Sequence, residues 1–162
     1  FGNTPVGTAG ANDYFEVTGV QIDLGTYTAT TAPTFRRSGG TIQGELAACQ
    51  RYYFRTVSTN AYGRVSIYGN ATGASNFVVW QVPPVPMRVT PTAVEYTGSS
   101  TLSSGDGVGA IATITSVTLD GQSNPNIVGF SANVASGLTT YRPYAIIGNG
   151  STTAYIAATA EL

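Results

Sequence analysis

"AIATITSVTLDGQSNPNIVGFSANV", residues 110–134, is the stretch on which the fold turns. Its two flanks, 110–120 and 126–134, are rich in Ile, Val and Thr. Such β-branched side chains suit a pleated, half-buried surface. The middle, "DGQSNPN" (120–126), is built of residues that tolerate positive φ or form Asx turns. The stretch reads as two strands joined by a hairpin connection.

The same punctuation recurs outward from it. Strand candidates fall at 52–57, 63–69, 76–82, 87–90, 93–97, 141–147 and 153–162. They are separated by "NATGASN" (70–76), "GSSTLSSGDGVG" (98–109), "ASGLTT" (135–140) and "GNGST" (148–152), all clusters of turn residues. One short helix is expected near 41–50, with Thr41 as its cap. Ahead of it, residues 14–24, "YFEVTGVQIDL", alternate: Val20, Ile22 and Leu24 fall on one side, Gln21 and Asp23 on the other. That predicts a strand, attached through a Gly- and Pro-containing arm. The expected architecture is all-β, a jelly-roll-like antiparallel β-sandwich over 41–162 with an arm and strand over 1–40.

Composition narrows the chemistry. Only 9% of the 162 residues are charged; the seven basic residues are all Arg, and there is no His. Seven scattered arginines against eight acids make no basic face for nucleic acid. No apolar run approaches the ~20 residues of a membrane helix. Without His the usual general base near neutral pH is missing, and Ser-His-Asp or Cys-His arrangements are impossible. The acids show no paired or metal-ligating spacing. The expectation is a protein that is not an enzyme and carries no metal or cofactor. The chain opens on Phe1 and is expected to be a processed or partial piece of something longer.

What the residues offer is recognition. Ten tyrosines, one tryptophan and many Asn, Ser and Thr supply flat amphipathic faces and adaptable hydrogen bonds. Asn60, Tyr62, Asn70, Asn124, Asn126 and Asn149 are the candidate ligand contacts, placed in turns where a neutral polar molecule such as a sugar is reachable. Asn76 belongs to the same turn set. "GELAACQRYYFRT" (44–56) is instead read as a structural junction. There Leu46 and a buried, inert Cys49 anchor the helix, Tyr52 begins the next strand, and Arg51 or Arg88 pairs with Glu45 or Glu95.

That junction resembles one found in tailed-phage virion proteins, chiefly tail fibres and related receptor-binding or decoration proteins. A strand like "VQIDLG" (20–25) is followed by an extended piece like "TTAPTFRR" (30–37), then by Gly44-Glu45-Leu46 and Cys49 to Tyr53. "PVPMRVTPT" (84–92) and the terminal "TTAYIAATAEL" (152–162) match two further landmarks of that family. The resemblance implies a C-terminal β-sandwich, presented as a homotrimer at a fibre tip in contact with other virion proteins. Its expected function is binding a host cell-surface glycan. The alternative it allows is a structural head-fibre or capsid decoration protein without a receptor.

Overall fold

The computed structural model describes residues 24–28, 30–34 and 40–161. The expected strand at 14–24 and most of the arm lie outside the described residues. Among the described residues there is one α-helix, α1 (Ile42–Gln50), and nine strands: β1 (Tyr53–Val57), β2 (Gly69–Ala71), β3 (Asn76–Gln81), β4 (Ala93–Tyr96), β5 (Leu102–Gly105), β6 (Ala110–Leu119), β7 (Val128–Val134), β8 (Pro143–Gly148) and β9 (Tyr155–Thr159). The all-β class with one short helix is as expected, and every strand pairing is antiparallel.

Most of the strands do not form the open-edged sheets of a two-sheet sandwich. Six strands close on themselves in the order β2-β3-β7-β6-β5-β8, with β8 pairing β5 on one side and β2 on the other. A separate three-stranded sheet, β1-β9-β4, packs against this barrel. The hairpin read in residues 110–134 is β6 and β7, joined by the 120–127 turn. Its alternation is not a single period. The register shifts between Ile114 and Ser116, so that Ile114 and Val117, three apart, both face the core. A bulge resets the pleat by one residue and keeps both apolar sets on the buried side.

The barrel interior is filled, not hollow. Phe77 and Val79 of β3, Phe130 and Ala132 of β7, Leu102 of β5, and Tyr144 and Ile146 of β8 all enter one core. The Phe77 and Tyr144 rings meet at 6.0 Å and 54°, within the tilted geometry aromatic pairs prefer. The buried Tyr144 hydroxyl accepts the Thr139 N–H at 3.0 Å. Phe54, Val94, Tyr96, Ile156 and Ala158 bring the inner face of the second sheet onto the same core.

Two strands come from segments read as turns. β5 is "LSSG", whose serines are buried with their hydroxyls used: Ser103 Oγ donates to the Ala112 carbonyl at 2.8 Å and Ser104 Oγ accepts the Ala112 N–H at 3.1 Å. β2 is "GNA", and only a glycine fits at 69. A Cβ there would lie 1.7 Å from the Val78 carbonyl oxygen. Conversely, the candidate strands at 63–69 and 87–90 are mostly irregular, with a single bridge from Arg64 to Ile147 in the first.

Replacing Gly69 with Ala is expected to destabilise the protein by about 3 kcal/mol, because backbone must move to admit the methyl. Phe77→Ala is expected to cost about 4 kcal/mol. Val82→Ala, at an exposed site, should change stability by less than about 0.5 kcal/mol. Equilibrium denaturation in urea reads all three.

Candidate functional site

Two surface depressions stand out among the described residues. The first is a groove of about 480 Å³ lined by Tyr68, Gly69, Asn70, Thr72, Val78, Trp80, Asp120, Gln122 and Pro143. The strand pattern places its platform. In β3, Phe77, Val79 and Gln81 point inward, so Val78 and Trp80 face out. Trp80 is opposite Gly129 of β7, and that glycine has a reason: a Cβ there would meet the indole Cζ3 and the Asp120 Cβ, each at 2.7 Å. The missing side chain lets the indole lie against the β7 backbone with Asp120 beside it.

The groove offers unused hydrogen-bonding groups around that ring. Asp120 Oδ1 accepts the Gln122 N–H at 2.9 Å, which orders the turn and leaves Oδ2 open. Tyr68 OH accepts from Arg64 Nη2 at 2.6 Å, which leaves its own proton to donate. The Asn70 and Gln122 amides and the Trp80 N–H make no hydrogen bond among the described residues. A flat aromatic face flanked by amides, a carboxylate and a hydroxyl fits a neutral, hydroxyl-rich molecule.

Tyr68 is held from behind. The Arg64 guanidinium lies 4.6 Å from the Tyr68 ring centre. Gly107, at φ +95°, passes so close that a Cβ would sit 2.7 Å from the Tyr68 hydroxyl. The loop carrying Gly107 is folded by Asp106, whose Oδ1 accepts the Val108 N–H at 3.0 Å and the Gly109 N–H at 3.4 Å. Its Oδ2 binds Arg142 Nη2 at 2.8 Å. The Val108 N–H above all, then the Gly109 N–H and the Arg142 charge, holds the Asp106 carboxyl below the usual carboxylate range. Tyr141, one residue before Arg142, adopts φ +65° and stands 85% exposed.

Of the sequence-expected contacts, only Asn70 enters this groove. Tyr62 lines a smaller depression of about 180 Å³ with Arg64 and the 105–109 loop. Asn60 uses its carbonyl in the turn before it, accepting the Ser58 hydroxyl and the Gly63 N–H. Asn124 closes on its own hairpin, its Oδ1 accepting the Asn126 and Ile127 N–H groups. Asn149 pins its turn to the Ser100 carbonyl at 3.1 Å. Asn76 is committed to Thr72, Ser131 and Asn133. The Asn76, Asn124 and Asn149 side chains thus brace their own turns, whereas Asn60 and the exposed Asn126 use only backbone groups. Trp80, which the sequence reading did not single out, lines the groove; its outward place in the 76–82 alternation and its being the sole tryptophan were legible.

The second depression is a groove of about 790 Å³ along β1, walled by α1 on one side and by 64–67 and 81–84 on the other. Here the junction expectation is corrected. Cys49 is exposed rather than buried, Leu46 is 55% exposed, and no residue of α1 is buried. A nine-residue helix without a buried stripe cannot be anchored by those two residues, so both face an open groove. Thr41 does cap the helix, accepting the Gly44 N–H at 3.0 Å. Arg88 lies 5.7 Å from the Tyr52 ring centre, its N–H bonded to the Arg51 carbonyl, and Glu95 accepts from Tyr53 OH at 3.3 Å. The junction is thus tied by backbone and ring contacts, and among the described residues no ion pair joins Arg51 or Arg88 to Glu95. No group of three acid or thiol side chains among the described residues is placed to hold a metal.

A carboxyl whose folded pKa is depressed stabilises above its ordinary value, here 3.8, and that contribution disappears as pH falls through the folded value. The melting temperature of the wild type should therefore exceed that of Asp106→Asn at pH 7. The two curves should converge as the pH is taken below that ordinary value and on through the depressed one.

The chain matches no protein-family model, no curated protein and no solved structure, so its function is argued from the geometry.

Proposed function

We propose that the protein is a non-catalytic attachment domain that holds a host-surface saccharide across the Tyr68–Trp80 groove. One observation carries this reading: the only indole of the chain is presented outward, seated on Gly129, amid polar groups with unused hydrogen-bonding capacity. Ring stacking on an apolar sugar face, with directional bonds at the rim, is how such a groove gains affinity. The absence of His and of a carboxylate pair in the groove favours binding over hydrolysis.

The setting follows from the sequence resemblance. We place the domain at the tip of a homotrimeric phage tail fibre, in the virion. There three weak sites on each fibre, and several fibres on each particle, add up to firm attachment. The jelly roll implied by that family is compatible with the barrel, since two sheets that share their edge strands close into such a ring. The alternative, a decoration protein of the shell without a receptor, draws on the apolar groove beside β1, which suits contact with other virion subunits.

Assembled protein on a glycan array should bind one saccharide class and should also bind whole host cells. Trp80→Ala and Gly129→Ala should each weaken that binding by at least about tenfold, roughly 1.4 kcal/mol, and Trp80→Ala should leave the melting temperature near wild type. Asn124→Ala should bind normally. Wild-type protein that binds neither glycans nor cells overturns the reading in favour of decoration, and binding that survives Trp80→Ala overturns the Tyr68–Trp80 groove as the site.

A further inference from the structure

The large groove runs along a strand edge with nothing paired to it. In the β1–β9 ladder, Tyr52 and Ser58 are hydrogen-bonded to Ala160 and Ala154, which sets the alternation. Phe54 and Thr56 therefore face β9, and the N–H and C=O groups of Tyr53, Arg55 and Val57 point away from the ladder, into the groove. Among the described residues none of these groups has a partner. Such an edge is a template for another strand.

The walls specify what that strand must look like. Leu46, Val57, Ile67 and Val82 are large apolar side chains left exposed around the groove, Val82 at 72%. The only charged residues lining it are Arg55 and Arg64, so the groove is basic as well as apolar. A strand with one apolar side and acidic side chains is the complement. The sequence offers a candidate. Residues 13–24 carry Asp13, Glu16 and Asp23, three of its eight acids, with no basic residue, and Val20, Ile22 and Leu24 alternate along it.

Among the described residues, nothing beyond Ala32 holds the end of that segment. Leu24 is 97% exposed, and the hydrogen bonds of Leu24, Tyr27 and Thr28 reach no further than Ala32. With the 28–32 turn kept, the chain from Leu24 to the helix cap at Thr41 can still extend roughly 45 Å, enough to span a domain of this size. We propose that residues 14–24 of one copy add as a strand to the β1 edge of a neighbouring copy. Each copy gives one arm and receives one, a head-to-tail contact that closes into a ring. This does not depend on the saccharide reading, and its test needs no ligand.

The test is residue-resolved hydrogen exchange on the full chain, with solution mass measured by light scattering. The Arg55 and Val57 amides, which point off the ladder, should be protected at least about 100-fold, in a particle whose mass is a multiple of 16.7 kDa. Ile22→Asp should abolish protection at those two amides and reduce the mass to a single protomer, while the Ile156 and Ala158 amides stay protected. Val57→Pro, which removes one outward N–H without touching the β9 ladder, should also release the protomer. Unprotected Arg55 and Val57 amides in wild-type protein overturn the proposal. Protection within a lone 16.7 kDa protomer overturns it as well, because the arm then covers its own edge.

Discussion

The whole arrangement depends on one close approach of backbone to backbone. β2 is three residues long, yet it must pair β3 on one side and β8 on the other for the barrel to close. It does so because Gly69 brings no side chain to the point where the Val78 carbonyl passes. A barrel without that seam would expose the edges of β3 and β8 and open the core at Phe77 and Tyr144. The same seam sets Tyr68 and Asn70 next to Val78 and Trp80, so the device that closes the fold also assembles the polar groove.

The two grooves then divide the surface by chemistry. One is small, aromatic and rimmed with amides, and its parts are braced by glycines that let rings sit against backbone. The other is larger, apolar and basic, and follows a strand whose outer hydrogen-bonding groups are open. A neutral ligand gains nothing from open backbone groups spaced at strand intervals, and a strand gains nothing from a lone indole. The physical division supports separate roles in recognition and in assembly.

The sparse charge of the chain gives individual ion pairs unusual weight as position markers. Asp106 and Arg142 form a surface pair of modest energetic worth. Its effect is geometric: it ties the 106–109 loop to the strand entry at Pro143, and that loop backs Tyr68. On the second sheet, Arg55 lies 4.1 Å from the Tyr155 ring centre and Tyr53 donates to Glu95, covering the buried Ala157 between them. Burial, with the Glu95 charge beside it, pushes the Tyr53 hydroxyl up from its ordinary value and keeps it a donor.

By itself the sequence determined the class and most of the elements. The runs at 53–57, 76–81, 93–96, 110–119, 128–134, 143–148 and 155–159 are strands because their β-branched and aromatic residues favour an extended, half-buried chain. Thr41 caps a helix because its hydroxyl can meet the Gly44 N–H locally. Only the tertiary structure decided that the sheet closes, that "LSSG" and "GNA" are strands, and that Cys49 faces outward. Those outcomes turn on partners far along the chain: Ser103 and Ser104 are strand residues because Ala112 and Ile147 flank them. The Asn124 and Asn149 side chains brace their turns for a related reason, since the amide that makes a good rim contact also makes a good turn brace. Which role it takes depends on whether its own loop satisfies it first.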